Sequence, residues 1–399
     1  MSDSRFVQIH FLTSYPASLI NRDDVGFAKR IPFGGTVRTR ISSQCLKRHW
    51  RTNHGENSLA AVSDDNLSVR SRRTFDTYIY KPLIENGIAE PIARAVTTEL
   101  MTTVLGMSPA KEAAAAKEGA GKETADHETA LASAQVTVLG KPELRFLLDE
   151  ARAICKEVSD PKKARDTLKK HLTRERTENL RTLKLNAGLD AAMFGRMVTS
   201  DILARCDAAL HVAHAFTVHS EATESDYFSA VDDLLSAGDA GSLGSGHINT
   251  SELTSGLFYG YAVVDVALLL SNLGDDKSLA ARVSDGIVRL IATVSPAAKL
   301  GSTAAHSYAN FLMIEAGKSQ PRTLANAFLS AVRSQPDLLG NTYRALGSHL
   351  SEFDRAYGGL DRRFLAMGPA ADLGDSFASS QRVQSLDELA KWTAAQIGG

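Results

Sequence analysis

Seven basic residues and no acidic one lie between Lys29 and Arg51: Lys29, Arg30, Arg38, Arg40, Lys47, Arg48 and Arg51. Gln44, Lys47, Arg48 and Arg51 are spaced by three and four, which puts them on one side of a helix. Ser42 or Ser43 stands where that helix would start, as an N-cap. The unpaired N–H groups and dipole of a helix start favour phosphate. The array contains no base-reading pattern, so it points to recognition of a nucleic-acid backbone rather than its sequence. A surface helix with an ordinary wet basic face accounts for the same residues equally well.

Other reactive groups are sparse. Asn21-Arg22-Asp23-Asp24 offers two carboxylates. An Asp beside bound RNA can help activate a 2′-hydroxyl in metal-free cleavage. The favoured reading is that Asp23 and Asp24 orient Arg22 or cap backbone groups. His211, His214 and His219 cluster in sequence, but on a strand His214 faces away from the other two. Satisfied structural histidines explain them better than a metal site. Asp232-Asp233 and Asp275-Asp276 read as caps and turns. No Walker A, GxGxxG, GxSxG or HExxH pattern occurs. The expectation is no catalytic residue, no metal and no cofactor.

The elements that position these residues follow from periodicity. Phe6–Thr13 alternates apolar residues with Gln8 and His10 and predicts a first strand; Ser14–Asp24 is a polar loop. Ile31–Ile41 predicts a hairpin turning at Gly34-Gly35. A helix follows over Gln44 to about Asn53, with Cys45, Leu46, His49 and Trp50 broadly inward. Pro91–Leu105, Lys141–Val158 and Lys162–Asn186 predict helices, and Pro109–Leu131 a solvated or frayed segment. Strands are expected at Ala209–His219 and Leu257–Val266, separated by the Gly-, Ser- and Asp-rich excursion Ser220–Ser255. A helix over Leu279–Val294, a strand over Ala304–Ile314 and helices over Leu324–Ser334, Asn341–Arg355 and Leu386–Ile397 complete the chain. That order suits an α+β fold of the ferredoxin-like type with insertions in its loops.

Composition narrows the class. At 399 residues and 43% hydrophobic, the chain affords a sizeable core. No apolar run reaches membrane-spanning length, so no membrane partner is expected. Three separated cysteines without a CxxC argue for a reducing cytoplasm. The net charge of −1 hides a segregation: Cys206–Asp276 holds eleven acids and no Lys or Arg.

Several blocks together resemble the CasC family, the backbone subunit of type I-E CRISPR Cascade. They are Leu19-Ile20-Asn21-Arg22-Asp23-Asp24, Phe33-Gly34-Gly35, Arg40–Arg48, Gly195–Ser200, Ala213–His219, Asp226–Leu234, Ser255–Tyr259 and, more loosely, Ala325–Phe328. They stand in the family's order and cover most of the chain. Residues about 56–185 match weakly, and Pro109–Leu131 looks like an addition.

The resemblance implies a right-hand shape with a modified ferredoxin-like, RNA-recognition-motif-like palm. The palm is expected at 1–55, 191–219 and 257–399, the last part with C-terminal helices. Helical fingers are expected at 56–190 and a thumb at 220–256. It further implies a non-catalytic scaffold that binds the CRISPR RNA spacer and stacks head to tail along it, presenting it to invading DNA. RNA contacts carry over to Arg22, Ser42, Gln44, Lys47, Arg48 and Arg51. A wedge that displaces one nucleotide carries over to Met197, Tyr227 and Phe228. Other Cascade subunits and a recruited nuclease-helicase are the implied partners. On this reading the acid-rich stretch meets a basic patch on the next copy. Two alternatives stand beside it: a target-RNA-cleaving backbone subunit of the type III kind using Asp23 or Asp24, and a generic RNA-binding protein.

Overall fold

The computed structural model describes residues 4–106, 131–133, 135–172, 187–196, 203, 205–230, 247–296, 298–368, 377 and 379–398, with side chains left aside at 228–230 and 247–249. The chain forms two compact units. One comprises Met1–Ser58, His211–Val266 and Ala281–Gly399; the other comprises Leu59–Leu210 and Ala267–Ala280.

The first unit is built on a large mixed sheet. Its first strand, β1, runs Phe6–Ser18, beyond the predicted Thr13, and takes up Pro16 in a register shift between Tyr15 and Ser18. The hairpin of β2 (Arg30–Phe33) and β3 (Thr36–Ile41) turns where predicted, with Phe33 facing Thr36. Gly34 and Gly35 have φ of 61° and 80°, the conformation a two-residue hairpin demands and glycine supplies freely. Helix α1 (Ser43–Arg51) follows directly.

In the second unit, a ribbon of β4 (Ser68–Ser71) and β5 (Thr137–Gly140) accompanies helices α2 (Glu90–Leu105), α3 (Lys141–Glu157) and α4 (Pro161–His171). Their apolar stripes close a core around Ile79, Val96, Leu100, Leu147 and Leu168. The helix predicted over Lys162–Asn186 is described only to His171. A buried Arg196–Glu143 pair is bidentate, at 2.6 and 2.9 Å, and Glu143 also accepts from Gly140 N at the start of α3.

Back in the first unit, the strand expected at Ala209–His219 is broken into β6 (Leu210–Val212) and β7 (Ala215–Thr217). The Ser220–Ser255 excursion is an arm of two paired strands: β8 (Thr223–Ala230) faces the first part of β9 (His247–Asp265) from Thr223↔Thr254 to Ala230↔His247. Residues 231–246 lie outside the described residues. Helix α5 (Lys277–Thr293) leads to β10 (Ala309–Gly317), which begins later than predicted: Ala304 takes a left-handed conformation and Ser307 is bonded back to Ser295. Helix α6 (Leu338–Tyr357), β11 (Asp361–Ala366), β12 (Gln381–Arg382) and α7 (Leu386–Gly398) end the chain. The strand order is β12-β11-β10-β1-β9-β7-β3-β2, antiparallel except for β11 with β12.

One expectation fails for a tertiary reason. Leu324–Ser334 is no helix: only Ala325–Phe328 makes a 3-10 turn. The carbonyl of Phe328 accepts from Arg38, and Val332 N donates to Val218 O, so non-local bonds replace helical ones. The polar residues of the first strand, Gln8 and His10, are both buried. Leu12 of β1 and Tyr343, Leu346 and Leu350 of α6 share a core cluster, so that face of the sheet is covered too. His10 bonds through Nδ1 to the Tyr259 hydroxyl at 2.9 Å and through Nε2 to Glu315 at 3.1 Å. Glu315 also accepts from Arg322 and from Arg362, and Arg362 grips Asp354. A buried charge network thus ties β1, β10, β11 and α6 together.

Candidate nucleic-acid interface

The site grows from the end of β3. Ile41 pairs with Ala215 and is buried, and at Ser42 the backbone leaves the sheet in an extended conformation. The Ser42 side chain accepts from Cys45 N at 3.2 Å, so this hydroxyl caps α1. Leu46 and Trp50 are buried; Trp50 packs edge-on against Phe11 with ring centroids 6.4 Å apart. Gln44 and Arg48 are exposed, and Lys47 and Arg51 are half-buried. The first turn carries no acid, so nothing of its own neutralises the positive end of the dipole. His49 is turned to its own helix: Nδ1 donates to the Cys45 carbonyl at 2.8 Å. Burial pushes the Cys45 thiol up to about 11, which leaves it protonated and unreactive.

The loop after β1 is tied to this helix. Asn21 Oδ1 accepts from Ser42 N at 2.9 Å, and the Asn21 carbonyl accepts from Lys29 N at 2.9 Å. Arg22 is exposed and bridges to Ala28 through the backbone. Asp23 Oδ1 accepts from Val25, Gly26 and Phe27 N–H groups at 3.0, 2.8 and 2.9 Å. Desolvation alone would raise its pKa; the three N–H donors and Lys29 win, and the carboxyl sits below the ordinary carboxylate range. This is the capping role favoured from sequence.

The basic block is not a single surface. Arg38 is wholly buried and donates to the carbonyls of Phe33, Thr217 and Phe328 at 3.3, 3.1 and 3.0 Å. Arg30 is held by Glu221 and Glu252. Glu252 also accepts from Ala28 N at 2.6 Å, and Glu221 N donates to Val37 O at 2.9 Å, so the root of the β8–β9 arm is bound to the hairpin and the Asn21 loop. Asp265 pairs with Arg5 at 3.3 Å. Three acids assigned from sequence to a neighbouring copy, Glu221, Glu252 and Asp265, thus bind arginines of their own chain.

The family model for CT1975-like proteins matches residues 7–392. The chain belongs to the CT1975-like protein family. Among solved structures this CT1975-like chain is similar to a chain of a "CRISPR RNA-guided surveillance complex, pre-nicking", at 27% identity and a TM-score of 0.79, covering 98% of this chain and 100% of that one. A chain of a second "CRISPR RNA-guided surveillance complex" shares the fold at 24% identity and a TM-score of 0.68, covering 98% and 99%. Comparison with curated proteins gives no significant match.

The remaining sequence candidates in this CT1975-like chain are dispersed. Arg22, Ser42, Gln44, Lys47, Arg48 and Arg51 lie on the loop and helix joined by the Asn21–Ser42 bond. Tyr227 is on β8, opposite Thr250 and 64% exposed. Phe228 faces Asn249 in the backbone register; its side chain and Met197 lie outside what is described. His219 donates from Nδ1 to Ser220 O at 2.7 Å and accepts from Leu257 N at Nε2, so neither nitrogen is open to a metal. Asp276 caps α5 through Leu279 N at 2.9 Å, and Asp275 takes a left-handed turn. Among the described residues no group of three or more His, Cys, Asp or Glu side chains is placed to hold a metal. Among them also, no helix is long and apolar enough to cross a membrane.

The sequence reading missed Arg40 and His214 as one unit. Arg40 Nη1 donates to His214 Nδ1 at 3.1 Å, which requires a neutral imidazole. Burial, then Arg40 and Lys47, hold the His214 pKa below its ordinary value. The two residues meet because β3 pairs with β7, a non-local contact that no spacing in the sequence signals.

Proposed function

We propose that this chain is the guide-RNA-binding backbone subunit of a CRISPR surveillance complex, and that it holds the guide without cutting nucleic acid. The observation that carries this is the TM-score of 0.79 over nearly the whole of both chains with a subunit of such a complex. The capped basic helix and its tied loop support it, because a guide of variable sequence must be held by its backbone. Arg22, Ser42, Gln44, Lys47, Arg48 and Arg51 are the proposed backbone contacts, and Met197, Tyr227 and Phe228 the proposed wedge.

The finer reading is a type I-E complex in the cytoplasm, with a ferredoxin-like palm and copies stacked head to tail. Target DNA would be reached through the guide, with other Cascade subunits and a nuclease-helicase as partners. The non-cutting reading draws on Asp23, whose Oδ1 is engaged by three backbone donors. Co-purification with guides of increasing spacer length tests the whole proposal. Copy number measured by native mass spectrometry should climb in steps with spacer length. A fixed dimer or closed ring, indifferent to spacer length, would refute it.

A further inference from the structure

Two closed loops linked to the segment Leu19–Asn21 hold large apolar side chains in water. The first is Asp23–Phe27, drawn shut by the Asp23 carboxylate and by Asp23 N donating to Phe27 O at 2.8 Å. It leaves Val25 75% and Phe27 50% exposed. The second lies between Ser295 and Ser307. Ser295 Oγ accepts from Ser307 N at 2.7 Å and donates to Ser307 O at 2.8 Å. Tyr308 follows at 66% exposure, and Leu300 within the loop is at 44%.

Both loops are bonded to the segment that holds Ser42, the cap residue of α1. Ala298 N donates to Leu19 O at 3.0 Å, two residues before Asn21, whose side chain takes Ser42 N. Tyr308 stands at the start of β10, where Ala309 faces Thr13 near the end of β1. Single exposed apolar residues are ordinary on a protein surface. Here, however, an exposed aromatic ring stands on each of two segments tied to Leu19–Asn21, whose Asn21 side chain takes Ser42 N, with exposed Arg22 and Arg48 on the same connected framework. Cationic groups for the backbone and π-faces for the bases, with no base-reading donors, are what a sequence-blind single-strand surface requires.

We infer that Phe27 and Tyr308 are base-stacking residues of this interface, each taking the face of a nucleobase of the bound single strand, with Asp23 positioning Phe27. This rests on the guide-binding reading and extends it from the sugar-phosphate backbone to the bases. A ring that already stands in water gives up no packing when it stacks, and stacking is indifferent to which base is present.

The test uses the full chain and single-stranded RNA carrying 2-aminopurine at successive positions, read by fluorescence quenching and by anisotropy across a salt series. Phe27→Ala and Tyr308→Ala should each weaken binding by roughly five- to tenfold and relieve quenching at one set of positions. Neither removes a charge, so the salt slope should stay at the wild-type value. Phe27→Trp should restore affinity and quenching, and Asp23→Ala should lessen quenching by Phe27. Unchanged affinity and quenching in both alanine variants would overturn the inference. So would loss of self-association with quenching intact, which would mark these rings as a contact between copies. Absence of salt-dependent RNA binding by the wild-type chain would overturn the guide-binding reading itself, and the inference with it.

Discussion

Arg38 and Arg48 stand ten residues apart in one basic block, yet they should behave oppositely when neutralised. Arg48 lies exposed on α1, and Arg38 is wholly buried against three carbonyls. Replacing Arg48 with Gln removes one charge from the proposed phosphate surface. The slope of log K against log salt should become shallower by about 0.7 for a single strand. Stability should stay within about 0.5 kcal/mol. Replacing Arg38 with Met leaves the Thr217 and Phe328 carbonyls without the donors that reach them at 3.1 and 3.0 Å. Hydrogen bonds from a charged donor contribute about 1.5–3 kcal/mol each, so the loss should be about 3–6 kcal/mol. The salt slope should not move. Urea denaturation followed by tryptophan fluorescence reads this unit, because both tryptophans of the chain, Trp50 and Trp392, lie in it. Anisotropy with a single-stranded RNA over a range of salt supplies the slope. An Arg38→Met protein of wild-type stability, with a slope lowered as far as by Arg48→Gln, would refute this division of the basic block.

Gly34→Ala should destabilise the first unit by at least about 1–2 kcal/mol, since it forces a left-handed residue and sets a Cβ 1.5 Å from the Leu329 carbonyl oxygen; Gly35→Ala, with open space at the Cβ, should show only the conformational part, and equal losses in urea melts would count against the docking argument. Acid should unfold this unit through the buried network. Burial favours a protonated Glu315, but the His10 and Arg322 donors win and hold it ionised, so its contribution is complete above about pH 4.3 and is lost as pH falls towards its depressed folded value. His10 is kept neutral chiefly by burial, so it adds a loss that begins below about pH 6.5. Glu315→Gln should cost about 3–5 kcal/mol at neutral pH and flatten the acid limb of stability measured against pH. An RNA complementary to the guide should remain intact with the purified assembly, with or without divalent metal; periodic cleavage abolished by Asp23→Ala or Asp24→Ala would favour the ribonuclease alternative.

Local rules were sufficient for the parts that depend on near neighbours. The Gly34-Gly35 turn, the Ser42 cap, the inward Leu46 and Trp50 and the helices α2, α3, α6 and α7 were legible because each depends on residues a few positions apart. The blocks of family resemblance were likewise readable along the chain. The long-range outcome was not. Which cations stay at the surface was decided by pairing across the sheet, which buries Arg38, clasps Arg30 between Glu221 and Glu252, and brings Arg40 to His214. The same holds for Gln8 and His10, whose burial follows from Tyr343, Leu346 and Leu350 of α6 closing that face of the sheet. It holds also for Leu324–Ser334, where Arg38 and Val218 take the backbone bonds that a helix would have used. Sequence by itself determined those elements that rest on near neighbours and the stock of charges. Tertiary structure alone decided which of those charges face water, because burial and pairing are set by partners hundreds of residues away rather than by the period of the chain.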